Sequence, residues 1–314
     1  MQGLELSRAY YEQFGAPMLH RDFPQIESLV AAGLCGSGSE CFGFDDDISR
    51  DHDFEPGFCL FLPGEDVIDR RTAFLLERAY SKLPKEFDGA RRSLVAPVGG
   101  SRRGVLRMAD FFQSKVGAPD GILTIGQWLD TPEFYLAEAT NGAVFRDDSG
   151  VFSAIRARLS VLPEDIRKKK LAGELLLMGQ SGQYNFSRCL QHKEPAAAQL
   201  AAIEFVKAAL HAVFLLNRVY QPYYKWQFRA LRGLPVLGNL AEPLEFLLTT
   251  ENRGDLGETK AAIIEDIAAL LIAALQSQDL TTATCGDLEQ HAYAVNDGID
   301  DSALRNLHVL AAIH

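Results

Sequence analysis

The chain has 314 residues, 47% of them hydrophobic and 23% charged, an ordinary balance for a globular protein and long enough that two domains are expected. Its net charge of −11 argues against a general nucleic-acid binder, whose affinity comes from neutralising phosphates, but leaves room for a local basic pocket.

The opening, MQGLELSRAYYEQFG, lacks the basic start and apolar core of a signal peptide. Its pattern predicts a helix over Leu4–Phe14, closed by a proline-bounded break. Ser28–Cys35 is an apolar run ending at Gly36 and reads as a buried strand. Phe58–Leu62 is a second strand, punctuated by Pro56-Gly57 and Pro63-Gly64. Glu65–Leu83 has helical periodicity at Val67, Phe74, Leu75 and Ala79. Lys85–Arg103 is a Gly/Arg/Pro-rich loop, the most basic in the chain, with Arg91, Arg92, Arg102 and Arg103. A strand at Val105–Met108, a helix at Asp110–Val116 with Asp110 as its N-cap, and a helix at Pro132–Thr140 closing on Asn141-Gly142 follow. Ala143–Phe145 is a strand that feeds a turn at Asp147–Gly150. From Val151 the pattern is helical to the end. The expected architecture is α+β: a mixed-sheet domain over 1–160 and an all-helical bundle over 161–314.

Five cysteines (Cys35, Cys41, Cys59, Cys189 and Cys285) form no CxxC pair and no zinc spacing, so they read as buried thiols in a reducing cytoplasm. The longest apolar run, Ala196–Leu216, is interrupted by Glu204, Lys207 and His211, which predicts a buried bundle helix and no membrane span.

The chemistry concentrates in GSGSECFGFDDDISRDHDF, residues 36–54. An EF-hand loop counted from Asp45 puts Arg50 where glycine is needed and Pro56 where a bidentate glutamate is needed, so calcium fails. His52-Asp53 spells the pair of metal-dependent phosphohydrolases, but Phe54-Glu55-Pro56-Gly57 is poor helix and only His20 precedes it. No lysine follows the glycines, which removes a Walker A loop. A nucleoside triphosphate site survives. Backbone N–H groups of Gly36, Ser37, Gly38 and Ser39, with the two serine hydroxyls, suit terminal phosphates. Asp51 and Asp53, two apart on a strand, project to one side and can hold Mg²⁺ or Mn²⁺, which cancels their repulsion of the phosphates.

The order of apolar strand, Gly-Ser, then Asp51-His52-Asp53 resembles the DNA-polymerase-β-type nucleotidyltransferase superfamily. Either Ser37 or Ser39 gives an acceptable spacing. The strings GSECFGFDDDISRDHDF, WLDTPEFYLAEATNGAVFRDDSG and LNRVYQPYYKW together resemble a bacterial nucleotidyltransferase-like family of unknown function. The resemblance implies a mixed-sheet catalytic domain and, in the antibiotic-modifying branch, a helical second domain. It implies metal-dependent transfer of a nucleoside monophosphate from NTP, ATP first, to an acceptor hydroxyl of unidentified identity. Most active members carry a third carboxylate on a later strand. Val105–Met108 has none, leaving Asp110, Glu138 and Asp147 as substitutes.

Around this core, Arg50, Arg91, Arg92, Arg102, Arg103 and Arg107 are either phosphate contacts or a solvated loop. Asp45–Asp47 read as a turn or cap. Glu204 is either the general base that deprotonates the acceptor or part of a polar stripe with Lys207 and His211 inside the bundle. Lys225, beside Tyr223, Tyr224 and Trp226, is either a phosphate contact or part of a packed aromatic cluster. Arg188 and His192 have no assigned role. The expected function is therefore a metal-dependent nucleotidyltransferase. The alternative is a nucleotide-binding regulatory protein that has lost turnover.

Overall fold

The computed structural model describes residues 2–46, 55–92 and 103–313. The fold is α+β, with a small mixed sheet followed by a helical region. Two compact units make it up: residues 1–127 with 131–161, and residues 128–130 with 162–314.

In the first unit, β1 (Ala31–Leu34) and β2 (Cys59–Leu62) form the middle of a four-stranded sheet. β3 (Glu86–Phe87) and β4 (Ala90–Arg91) make a separate small hairpin. β5 (Gly104–Arg107) and β6 (Ala143–Arg146) complete the main sheet in the order β5-β2-β1-β6. β1 runs antiparallel to both β2 and β6, whereas β2 and β5 are parallel and need the crossover that passes through the helix at Arg70–Ser81. Both faces of the sheet are covered, which is why its strands read as continuous apolar runs rather than alternating ones. Phe58, Leu60 and Leu62 pack on one face with Tyr10, Tyr11 and Leu76. Phe61, pointing the other way, stacks on Phe152 at 4.1 Å and meets Phe111 edge-on.

The N-terminal helix is longer than its sequence suggests. α1 (Gly3–Tyr10), a π-helical turn at Tyr11–Gly15 and α2 (Ala16–Asp22) run on without a break. Pro17 does not end the helix: it follows directly on the π-helical turn, where the regular i→i−4 ladder that a proline would break is already interrupted. α3 (Arg70–Ser81) begins five residues later than its periodicity predicts, with Asp69 as a cap accepting the Thr72 N–H at 2.7 Å. Its inner face also differs. Leu76 and Tyr80 are buried, and Val67, Phe74 and Leu75 are exposed. The Tyr80 hydroxyl fixes that rotation by donating to the Phe58 carbonyl at 2.7 Å and accepting the Phe58 N–H at 3.1 Å.

The first unit continues with α4 (Met108–Val116), α5 (Ile125–Asp130, its last three residues counted with the second unit), α6 (Glu133–Thr140) and α7 (Val151–Leu159). The N-cap of α4 is Arg107. Asp110 is exposed in its first turn and is not the cap. It favours the helix start through its charge instead.

The second unit is helical. α8 (Glu164–Met178) leads through a π-helical segment, Gly179–Phe186, into α9 (Ser187–Gln191). α10 (Pro195–Leu216) follows, then α11 (Gln227–Leu231), α12 (Ala241–Thr249), α13 (Asp255–Ser277), α14 (Leu288–Asp297) and α15 (Ser302–Arg305). α10 is long and apolar enough to cross a membrane, but it lies mostly buried and contributes Phe205, Val213, Phe214 and Leu215 to the bundle core. The core also holds charge. Lys260 has its ammonium among three neutral oxygens, those of Gln199, Thr250 and Asn252 at 2.6–2.9 Å. Lys169 is held by Asn296 at 2.8 Å and the Leu307 carbonyl at 2.6 Å. Burial lowers the pKa of both lysines.

Candidate functional site

The strand registers bring four chain ends to one rim of the sheet. Gly33 of β1 faces Cys59 of β2, Cys59 faces Gly104 of β5, and Leu34 faces Ala143 of β6. The C-terminal end of β1 therefore lies beside the N-terminal ends of β2, β5 and β6. That rim collects the Gly36–Ser39 turn, the chain entering β2 at Glu55–Gly57, Arg103 before β5, and Asn141-Gly142 before β6.

Gly36 adopts φ +125°, a conformation that L side chains rarely take, and no described atom lies within 4 Å of where its Cβ would be. Asn141 clamps it from both sides. The side-chain Oδ1 accepts the Gly36 N–H at 2.9 Å, and Nδ2 donates to the Gly36 carbonyl at 2.8 Å. Arg156 of α7 in turn donates to the carbonyls of Thr140, at 2.7 Å, and Asn141. The Gly36 N–H is thus spent on the protein itself. Ser37 is exposed, and among the described residues the N–H groups of Ser37, Gly38 and Ser39 meet no acceptor. Ser39 opens a 3₁₀ turn, Ser39–Phe42, for which Gly38 is the N-cap.

Gly38 is a glycine for a different reason from Gly36. A Cβ there would lie 2.3–2.4 Å from the Glu40 carboxylate, which folds back over its backbone. Glu40 is 9% exposed and pairs with Arg103, 14% exposed, at 3.0 Å. Arg103 fits because Gly57 leaves room beside it, where a Cβ would come 2.9 Å from the arginine Cδ. Nothing in the spacing of the sequence marks Glu40 or Asn141. Glu40 is one more acid in an acidic stretch, and Asn141-Gly142 reads as a helix end.

The other arginines divide. Arg92 stacks over the Tyr80 ring at 5.0 Å and donates to the Tyr10 hydroxyl at 3.1 Å. Arg107 donates to the Pro63 carbonyl at 2.7 Å. Arg91 is exposed and faces Glu86 at 3.3 Å. Asp45 caps α1 by accepting the Gly3 N–H at 2.7 Å. The substitutes for a third carboxylate are engaged or peripheral. Glu138 is buried against Lys115. Asp147 accepts the Ser153 N–H at 2.8 Å as a cap of α7. Asp51 and Asp53, the expected metal ligands, and Arg50 lie outside the described residues, as do Asp47 and Arg102. Among the described residues no group of three or more His, Cys, Asp or Glu side chains is arranged to hold a metal.

Three cysteines line this end of the first unit. Burial pushes the Cys35 thiol up to about 11 and raises Cys41 and Cys59 as well, so none is a ready nucleophile. The expectation that all five are buried is corrected at two positions: Cys189 is half-buried and Cys285 is exposed in the loop before α14.

Glu204 and Lys225 belong to the second unit. Glu204 is 55% exposed and faces Lys207 at 3.3 Å on the surface of α10. It is neither a buried member of a polar stripe nor free of a basic partner. The stripe splits because α10 turns its next polar residue inward: His211 Nδ1 meets the buried Glu174 of α8 at 2.6 Å. Lys225 is exposed, its ammonium 4.8 Å from the Trp226 ring. The Tyr223 and Tyr224 rings meet at a tilt, 4.3 Å apart, and both remain exposed, so they do not form a packed cluster. Arg188 lies over the Tyr184 ring at 4.9 Å. A groove of about 640 Å³ opens beside the π-helical segment, lined by Gln180, Gln183, Tyr184, Asp287 and Glu289. Neither Glu204 nor Lys225, the sequence-derived site residues of this unit, is among its lining residues.

Residues 128–227 match the model of a family described as a domain of unknown function, DUF4037. No curated protein and no solved structure matches the chain. The matched segment contains Asn141, Arg156, Glu204 and Lys225 and stops short of the Gly36–Ser39 turn.

Proposed function

We propose that the protein is a metal-dependent nucleotidyltransferase of the DNA-polymerase-β-type superfamily, transferring a nucleoside monophosphate from NTP, ATP first, to an acceptor hydroxyl. One observation carries this reading: the Gly36–Ser39 turn, held in an open conformation at the end of β1, sits beside the chain that enters β2 just after Asp51-His52-Asp53. The N–H groups of Ser37 and Gly38 and the exposed Ser37 hydroxyl are the donors for the terminal phosphates, which favours Gly36-Ser37 over Gly38-Ser39 as the phosphate-contacting pair. Asp51 and Asp53 supply hard carboxylate oxygens, the donor type that suits Mg²⁺ or Mn²⁺. A bound divalent ion would neutralise charge on the phosphates. The chain's own contribution is positioning, through the Asn141 clamp on the turn.

A second reading, a nucleotide-binding regulatory protein without turnover, is favoured by the carboxylates. Glu138 and Asp147 are committed elsewhere, Asp110 is a surface helix residue, and Glu204 carries a lysine partner. Calorimetry of ATP binding with Mg²⁺ and with EDTA tests what the two readings share. Equally tight binding in EDTA, or unchanged metal dependence in the Asp51→Asn/Asp53→Asn protein, would refute both. Pyrophosphate release from labelled NTP in the presence of small-molecule and protein acceptor pools separates them.

A further inference from the structure

The groove between α2 and α3 has no part in the chemistry proposed above. It encloses about 470 Å³ where the C-terminal turns of the two helices come together. Its floor is aliphatic: Met18 is buried, and Ala79 and Leu83 are half-buried against the core. Leu75 also lines it and is 45% exposed. The amphipathic pattern of α3 assigns Leu75 to the core, and the rotation of the helix leaves it outside. The charged lining is basic, with Arg21, Arg78 and Lys82 against the single acid Asp22. Asp22 is taken up by Arg21, which donates to both of its carboxylate oxygens at 2.7 Å. Among the described residues neither Arg78 nor Lys82 has a carboxylate within salt-bridge distance. A cation in the last turn complements a helix dipole, which accounts for one basic residue at the end of each helix. It does not account for two on α3 beside an open apolar slot, in a chain whose net charge is −11.

We propose that this groove docks an acidic amphipathic helix of a partner protein. Such a helix presents apolar side chains at i, i+3 and i+7 to the aliphatic floor, and its flanking carboxylates meet Arg78 and Lys82. Charge complementarity selects this occupant over three others. A nucleic acid needs aromatic rings to stack its bases or an unbroken basic track for its phosphates, whereas this floor carries no ring and Asp22 and Glu77 interrupt the track. A bilayer takes up a protruding apolar face, and here the apolar surface is recessed between helices. A second copy docked about a two-fold axis would set this basic face against itself. The inference does not rest on the nucleotidyltransferase reading.

The test titrates the full chain into a fluorescent synthetic helix of glutamate and alanine with leucines at i, i+3 and i+7. Fluorescence anisotropy should show saturable binding that weakens about tenfold in Arg78→Glu/Lys82→Glu, and about tenfold again when serine replaces leucine in the peptide. A peptide with lysine for glutamate should prefer Arg78→Glu/Lys82→Glu to wild type. Both side chains are exposed, so the variants should keep the wild-type melting temperature. If the charge reversal fails to fold, Arg78→Gln/Lys82→Gln carries the same test with a smaller loss. Amide shifts in the wild-type NMR spectrum should centre on Met18, Leu75, Ala79 and Leu83. The proposal is overturned by absence of saturable binding, by equal affinity in the charge-altered proteins, or by shifts centred elsewhere. Equal affinity of the serine peptide overturns it too, by reducing the contact to charge alone. So does binding of phosphatidylglycerol vesicles or a single-stranded RNA through Arg78 and Lys82 in place of the peptide. A wild-type dimer in sedimentation that dissociates in Arg78→Glu/Lys82→Glu would assign the groove to a second copy instead.

Discussion

Replacing Asn141 by alanine removes both hydrogen bonds that hold Gly36, the 2.9 Å bond from its N–H and the 2.8 Å bond to its carbonyl. Gly36 is buried, so neither group regains a full partner. Each unsatisfied buried backbone group costs about 1–3 kcal/mol. Asn141 itself is only half-buried, so water entering its place recovers part of that, and the net local cost is about 2 kcal/mol. That corresponds to a ~30-fold rise in the opening equilibrium of the turn. Amide hydrogen exchange at Gly36, followed by NMR under conditions where exchange tracks local opening, reads it directly. Asn141→Ala should exchange ~30-fold faster there. Asn141→Asp keeps an acceptor for the N–H but sets a carboxylate oxygen against the Gly36 carbonyl where the donor stood, so it should recover only part of the protection. Metal-dependent ATP affinity should fall in Asn141→Ala if the turn is the phosphate site. Unchanged exchange at Gly36 in Asn141→Ala would refute the clamp.

Gly142 holds φ +66°, and a Cβ there would lie 2.0 Å from the Leu34 carbonyl oxygen, so Gly142→Ala should cost about 3 kcal/mol in thermal unfolding by strain and by prising β6 from β1. Glu204→Gln should lower stability by less than ~1 kcal/mol, because its Lys207 pair is exposed; a larger loss in denaturant titration would show that the carboxylate supports the bundle after all. Glu164, between Arg167 and Arg218, has its pKa held down to about 2 from an ordinary 4.5, chiefly by the Arg167 hydrogen bonds. The group's stabilisation is present above pH 4.5 and is lost as pH falls through about 2. Since the carboxylate is 41% exposed, solvent screening reduces the effect to about 1 kcal/mol, and Glu164→Gln should flatten the acid limb of stability in that window.

Much of the fold was legible because both strands at the centre of the sheet, β1 and β2, are short apolar runs bounded by glycine or proline, and their burial on two faces leaves no polar alternation to obscure them. The helix at Glu133–Thr140 and the strand at Ala143–Arg146 were equally well punctuated by Asn141-Gly142. What failed was rotation about an axis. The amphipathic pattern of Glu65–Leu83 pointed to Phe74 and Leu75, whereas the Tyr80 hydroxyl bonds to Phe58 turn Leu76 and Tyr80 inward. Buried charge was illegible for a related reason. Arg167-Lys168-Lys169-Lys170 looks like a solvated run, yet Arg167 is buried between the Glu164 carboxylate one turn away and the Leu215 carbonyl, and Lys169 and Lys170 are buried on amide and carbonyl oxygens supplied by distant segments. At the candidate site the glycines and serines announced a turn. Its supports, Asn141 from more than a hundred residues away and Arg103 from more than sixty, could emerge only once the strands were in register.

The π-helical turn at Tyr11–Gly15 marks where one residue more than an α-helix needs has been absorbed into the N-terminal rod. Excising a single residue there would let the backbone close into an uninterrupted α-helix, at no loss of hydrogen bonds. It would also rotate everything upstream by about 100° relative to α2. Leu6 and Tyr10 would swing out of the sheet's cover, and the Tyr10 hydroxyl would leave the Pro84 carbonyl it now reaches at 2.6 Å. Asp45 would lose the helix start that it caps at Gly3. The locally irregular form is therefore the one that keeps the first helix in phase with the strand it covers, and a length change of one residue, in either direction, is a change of face.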